Sequence, residues 1–183
     1  MTDEHDKHPE EQKPLLNLYA AFGVSLILSV LPYMSAAILS LVFFVGVLIG
    51  AYAMRKNSEE FSLMENHTTF MIRTLWIAAL LSLITTGVAT AYMLGGIDYS
   101  TFEPCAQTLA NKGTAWIEHA GMMAVYGVIE PCVENFLDFN HTVLMNSLII
   151  AGGPPILYMV YRMAKGLGRA MKGYRLSNPK SWL

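Results

Sequence analysis

Charge is what this 183-residue chain has least of: 14% of it is Asp, Glu, Lys or Arg, against about 25% in an average soluble domain. Basic excess is missing as well, since 12 Lys and Arg face 14 Asp and Glu, a formal net charge of -2. A nucleic-acid binder would carry a basic footprint, so no nucleic-acid partner is expected. Two cysteines cannot furnish a four-thiolate zinc site or a disulfide-dense scaffold. The hydrophobic content, 54%, excludes a disordered chain. What remains is a protein whose solvent is the lipid bilayer.

A helix crosses the ~30 Å hydrocarbon core with roughly 20 apolar residues, and about 17 is the lower limit. Four uncharged or nearly uncharged runs meet that length: 15–31, 33–54, 74–94 and 142–163. Pro32 removes a backbone donor between the first two, so they read as a tight hairpin instead of one overlong helix. The stretch before Leu15 is rich in Asp and Glu, unlike the basic start of a signal peptide, so cleavage is not expected. The fold class is therefore all-α, a four-helix transmembrane bundle.

Orientation follows from Lys and Arg, which stay on the side of insertion. With both termini inside, the inner face holds Lys7, Lys13, Arg55, Lys56, Arg73, Arg162, Lys165, Arg169, Lys172, Arg175 and Lys180, and the outer face only Lys112. The division is then an acidic cytoplasmic tail (1–14), helices 1–3 (15–94), an extracytoplasmic loop (95–141), helix 4 (142–163) and a basic cytoplasmic tail (164–183).

The outer loop is long for a plain connection. Thr101 is placed to cap one short helix ending near Lys112 and Gly113, and Thr114 a second that runs through Trp116, Ile117 and Met123. Cys105 and Cys132 both fall in it, in a compartment where disulfides persist if the host is bacterial. A structural bridge is preferred to two free thiols. It would remove roughly 3–4 kcal/mol of unfolded-state freedom in the chain-entropy account.

Helix 4 carries Gly152, Gly153, Pro154 and Pro155 near its middle, where two missing donors predict a kink or break. The carbonyls so freed need partners in lipid, and packing is the plainer use of such a site than transport. Gly46 with Gly50, and Gly87 with Ala91, are small-residue pairs that allow close helix contact, in a compact bundle or a homo-oligomer. Arg162, Lys165, Arg169 and Lys172 recur every three or four residues and form a basic strip facing anionic headgroups.

Two stretches carry a family likeness. Ser62-x4-His67-x4-Ile72-Arg73-Thr74-Leu75-Trp76 precedes the third span, and Tyr161-Arg162-x2-Lys165-Gly166 ends the fourth. Together they resemble a family of small, uncharacterised proteobacterial inner-membrane proteins, in which Phe usually stands at the place of Leu75. The resemblance covers the last three spans and leaves out the long cysteine-bearing loop. It implies multi-pass residence in the inner membrane and no established activity. From the residues alone, His67, Arg73 and Arg162, with Lys165 and Arg169, read as interfacial anchors first and as a docking site second.

Three functional alternatives stand beside an accessory role. The layout is similar to the quinone-linked disulfide-generating membrane oxidoreductases, but the first outer connection, Pro32 to Ser35, has no second dithiol for a thiol relay. A copper site could draw on Cys105, His119, Met122, Met123, Cys132 and His141, whose spacing is loose, so no metal or other cofactor is assigned. An oligomeric transporter or channel component would have only Thr85, Thr86, Thr90 and the Gly-Pro segment for polarity. The expectation is a non-enzymatic accessory or scaffold subunit that docks other membrane proteins through its stapled outer loop and basic tail.

Overall fold

Helix is nearly all there is, because runs this apolar must satisfy their backbone internally. The computed structural model describes residues 9–182, so residues 1–8 of the acidic tail, with Lys7, and Leu183 lie outside it. The helices are α1 (Pro9–Ser29), α2 (Met34–Lys56), α3 (Leu63–Gly96), α4 (Glu103–Lys112), α5 (Thr114–His119), α6 (Met122–Phe139) and α7 (His141–Met171). Three of them, α2, α3 and α7, are long and apolar enough to cross a membrane. The expected first span belongs to α1, which is not among those three because its first turns carry Glu, Gln and Lys.

The chain falls into two compact units, residues 1–83 with 154–183, and residues 84–153. In the first unit α1 and α2 form the expected hairpin. Leu15, Leu18, Tyr19, Phe22, Ser25 and Leu26 occupy one side of α1 and are all buried. They close on Val47 and Ala51 of α2 and on Met71, Ile72 and Leu75 of α3. Ser40 Oγ donates to the Ser25 carbonyl at 2.8 Å, and Gly50 lets Leu18 Cδ1 within 3.3 Å of where a Cβ would stand. Gly46, its small-residue companion, meets nothing within 4 Å, and neither does Gly87.

α3 begins eleven residues earlier than the apolar run starting at Thr74. Its first turn explains why. Ser62 Oγ accepts the Glu65 N–H at 3.1 Å, Glu65 Oε2 accepts the Phe61 N–H at 2.8 Å, and Glu11 of α1 accepts the Met64 N–H at 2.8 Å. Donors that a bare helix start would leave orphaned are thus satisfied by side chains. α7 ends in a Schellman turn: Gly173, at φ +70°, donates to the Ala170 carbonyl and Tyr174 to that of Arg169, both at 3.0 Å.

In the second unit, three helices, α4 to α6, form the loop where two were expected. Neither threonine caps a helix. α5 starts from Gly113, whose φ of +80° only glycine adopts without strain, and α4 follows a 3-10 turn at Ser100–Phe102. Cys105 and Cys132 are joined, with Cα atoms 6.2 Å apart, and link α4 to α6. Phe102 and Tyr99 pack on Phe136 with ring centroids 4.5 and 6.3 Å apart. The buried Asn140 clamps the loop's first turn, accepting the Asp98 N–H at 2.8 Å and donating to the Asp98 carbonyl at 3.0 Å. Asp98 in turn takes hydrogen bonds from Ser100, which hold its carboxyl below the usual range.

Of the kink or break expected at Gly152 to Pro155, a break does not occur. α7 runs unbroken from His141 to Met171 with Pro154 and Pro155 inside it. Pro155 has no N–H to give the Ala151 carbonyl, and the Thr85 hydroxyl donates its O–H to it instead at 2.7 Å. A hydroxyl on α3 replaces the missing rung, so that carbonyl is not left for a ligand.

Candidate functional site

Polar side chains converge in the first unit where α1 and α3 begin and α7 ends. α1 contributes Gln12 and Tyr19. α3 contributes Asn66, His67, Phe70, Arg73 and Thr74, and α7 contributes Tyr158, Arg162, Gly166 and Arg169. The chain after Gly173 folds back over them, and Asn66, His67, Tyr158, Arg162 and Arg169 all bond to its backbone. Gln12, at the start of α1, donates to the carbonyls of Ala170 and Met171 at the end of α7.

Asn66 holds Leu176 by both backbone groups, accepting its N–H at 2.7 Å and donating to its carbonyl at 3.0 Å. His67, with no exposed surface, lies 3.0 Å from the Tyr174 carbonyl through Nε2 and 3.0 Å from the Tyr19 hydroxyl through Nδ1. A carbonyl can only accept, so Nε2 carries the proton and Nδ1 takes the one from Tyr19. Tyr158 OH donates to the Trp182 carbonyl at 3.1 Å, and Arg169 Nη1 to that of Arg175 at 3.2 Å.

Arg162 is the largest side chain with no exposure at all. Its Nε donates to Thr74 Oγ1 at 3.0 Å, and Nη1 donates to the Ser181 carbonyl at 3.1 Å and to Ser181 Oγ at 3.4 Å. Its Cζ stands 3.6 Å above the centre of the Phe70 ring. The titratable groups that act on it are Tyr158, Tyr19, Arg73 and Tyr161, none a carboxylate. A buried cation costs several kcal/mol without compensation. Here the offset comes from the ring face, worth about 2 kcal/mol when dry, and from charge-assisted bonds of about 1.5–3 kcal/mol each.

Gly166 makes the convergence possible. A Cβ there would run into the Tyr19 hydroxyl, with Tyr19 Cζ at 2.9 Å and Phe70 Cε1 at 3.0 Å. Tyr19 and Phe70 are themselves buried to 2% exposure, so neither ring has room to yield.

Of the expected docking residues, His67 and Arg162 are fully buried and face the chain's own tail, which supplies the acceptors that water would otherwise provide. Arg73 is half-buried, and its Nε has no hydrogen-bond partner. Lys165 is exposed and Arg169 partly so. The sequence does not single out Tyr19, Asn66, Phe70 or Ser181, and it marks Thr74 only as part of the motif before the third span. Only the Ser62-x-x-Glu65 capping pattern announces that a helix, and so a helix face, surrounds Asn66 and His67.

No protein-family model, curated protein or solved structure matches this chain. Function has to be read from the site itself. Both nitrogens of His67 are engaged within the fold, which leaves neither a proton nor a lone pair for a substrate. Between α3 and α7, His119 Nδ1 is bonded to the Ala115 carbonyl at 2.8 Å and both cysteines are in the disulfide. Met122 and Met123 are exposed at the start of α6, and no group of three His, Cys, Asp or Glu able to hold a metal occurs among the described residues.

Proposed function

We propose that this chain is a four-span accessory or scaffold subunit of a bacterial inner membrane, with both termini cytoplasmic. It docks a larger membrane complex through its stapled outer loop, and its basic tail faces the cytoplasmic headgroups. The observation that carries this reading is the use made of the polar side chains. Asn66, His67, Tyr158, Arg162 and Arg169 bind the protein's own backbone and fix the tail's shape, as positioning demands and as turnover does not.

α1 serves as the fourth span in this reading. Leu15 to Ser29 covers about 22 Å of uncharged helix, and the apolar Val30 and Leu31 extend the run into the turn. Its free side is apolar too, with Val24 and Ile27 exposed at 40% and 65%, a poor surface for water and a good one for lipid. Glu11 and Gln12 join its start to the start of α3 and the end of α7, the ends that the distribution of Lys and Arg assigns to the cytoplasm. The outer helices α5 and α6 in turn leave Ile117, Met122, Met123, Tyr126, Leu137 and Phe139 exposed, more apolar surface than a free loop carries. The resemblance of residues 62–76 and 161–166 to small multi-pass proteins agrees with this role, since both stretches take part in holding the tail.

Affinity purification in mild detergent tests the proposal. Tagged wild type is expected to bring down a partner in fixed ratio, and Met123→Glu with Tyr126→Ser to lose it while keeping the same melting temperature. Recovery of the protein alone, together with unchanged growth and secretion on deleting the outer helices, contradicts it.

A further inference from the structure

We propose that the groove between the end of α7 and the returning tail is a binding site for the phosphate of an anionic phospholipid. The groove encloses about 510 Å³ and is lined by Lys165, Gly168, Arg169, Met171, Lys172 and Tyr174. Three of those six residues are cations and none is acidic. Gly168 meets nothing within 4 Å of where a Cβ would stand, which leaves the floor open.

The groove is built, not a chance of flexible surface chains. One wall is helix, with Lys165, Arg169 and Lys172 four and three residues apart on one side. The other wall is the turn at Gly173, held by the His67 bond to the Tyr174 carbonyl and by the Schellman pair. Arg169 keeps its position by giving Nη1 to the Arg175 carbonyl, and the Lys165 ammonium lies 5.7 Å from the centre of the Tyr161 ring. Among the described residues no carboxylate pairs with these three cations.

Position chooses lipid over free phosphate. Lys165 and Arg169 lie about 3 and 9 Å of helix beyond Met163, where the apolar run ends, and the headgroup layer is roughly 5–8 Å deep. Their stems reach back along the bilayer edge while the charged heads meet phosphate. Basic pockets beside cytoplasmic helix ends collect anionic headgroups in this way. The inference rests on the tail facing the cytoplasmic leaflet, as proposed above.

The test uses the purified full chain in mild detergent, with native mass spectrometry to count retained lipid. The arms are phosphatidylglycerol, phosphatidylcholine and inorganic phosphate alone. Wild type is expected to retain phosphatidylglycerol and to be stabilised by it, with little effect of the other two. The Lys165→Gln and Lys172→Gln pair should weaken retention about fivefold per cation, about 25-fold together. Arg55→Gln with Lys56→Gln, the same charge change at the end of α2, should leave it within about twofold. Equal retention of the neutral lipid, equal loss in both pairs, or protection by inorganic phosphate matching that by lipid overturns the assignment. Topology labelling fails or succeeds independently, so a wrong orientation is distinguishable from a wrong site.

Discussion

Gly166→Ala sets two magnitudes against each other. In a helix interior alanine is favoured over glycine by about 1 kcal/mol, so propensity alone makes the variant more stable. The packing says the reverse. The new methyl meets Tyr19 Cζ at 2.9 Å and Phe70 Cε1 at 3.0 Å, as well as the Tyr19 hydroxyl. Overpacking a filled core costs about 1–3 kcal/mol, and turning Tyr19 aside breaks its bond to His67 for about 1 kcal/mol more. The clash wins, and the variant should lose about 2 kcal/mol net. Gly168→Ala, two residues on and with open space at its Cβ, is the control and should gain up to about 1 kcal/mol. Thermal melts and denaturant titrations of both variants in one detergent decide the sign. Adding Tyr19→Phe to Gly166→Ala should cost less than the sum of the single changes, because the hydroxyl is one of the clashing groups. If Gly166→Ala is as stable as Gly168→Ala, the close approach of α1, α3 and α7 described here is wrong.

Three further outcomes follow from named contacts. Thr85→Val should destabilise by about 1 kcal/mol because the Ala151 carbonyl loses its donor opposite Pro155, whereas Thr85→Ser should be near neutral; equal melting points for both contradict the replacement rung. Asn66→Ala removes both bonds to Leu176, so limited trypsin digestion should cut after Lys172 and Arg175 at least about fivefold faster, a unit change in Leu176 anchoring of about 1 kcal/mol. Cys105→Ser should cost the outer helices about 3–4 kcal/mol and be matched by reductant on the wild type, with amide exchange in α4 and α6 as the readout and no effect on exchange near Tyr19.

The parts of the fold legible in the sequence are those that apolar content over length decides. The three long spans, the turn at Pro32 and the cysteine-bearing helical loop come from local composition. The first eleven residues of α3 are hard to read from sequence because Glu65, Asn66, His67 and the threonines look like a polar connection, although Ser62 and Glu65 already mark a helix start. The continuity of α7 was hidden because the donor that replaces the proline's lies 66 residues away, at Thr85. Tyr19 and Gly166 are further apart still, and nothing local to either indicates that the two meet. The folded-back tail was least visible. Its partners use its carbonyls and N–H groups, which every residue has, so its own side chains carry little trace of the contacts.

Cysteine accessibility tests the membrane arrangement most directly. In a Cys105→Ser, Cys132→Ser background, single cysteines at Met34 where α2 leaves the hairpin turn, at Met122 at the start of α6 and at Ser177 in the tail report the three regions that matter. With a membrane-impermeant thiol reagent on intact cells, positions 34 and 122 should be labelled and position 177 only after permeabilisation. Labelling at 177 from outside, or protection of 34 while 122 reacts, contradicts a four-span chain with both ends in the cytoplasm.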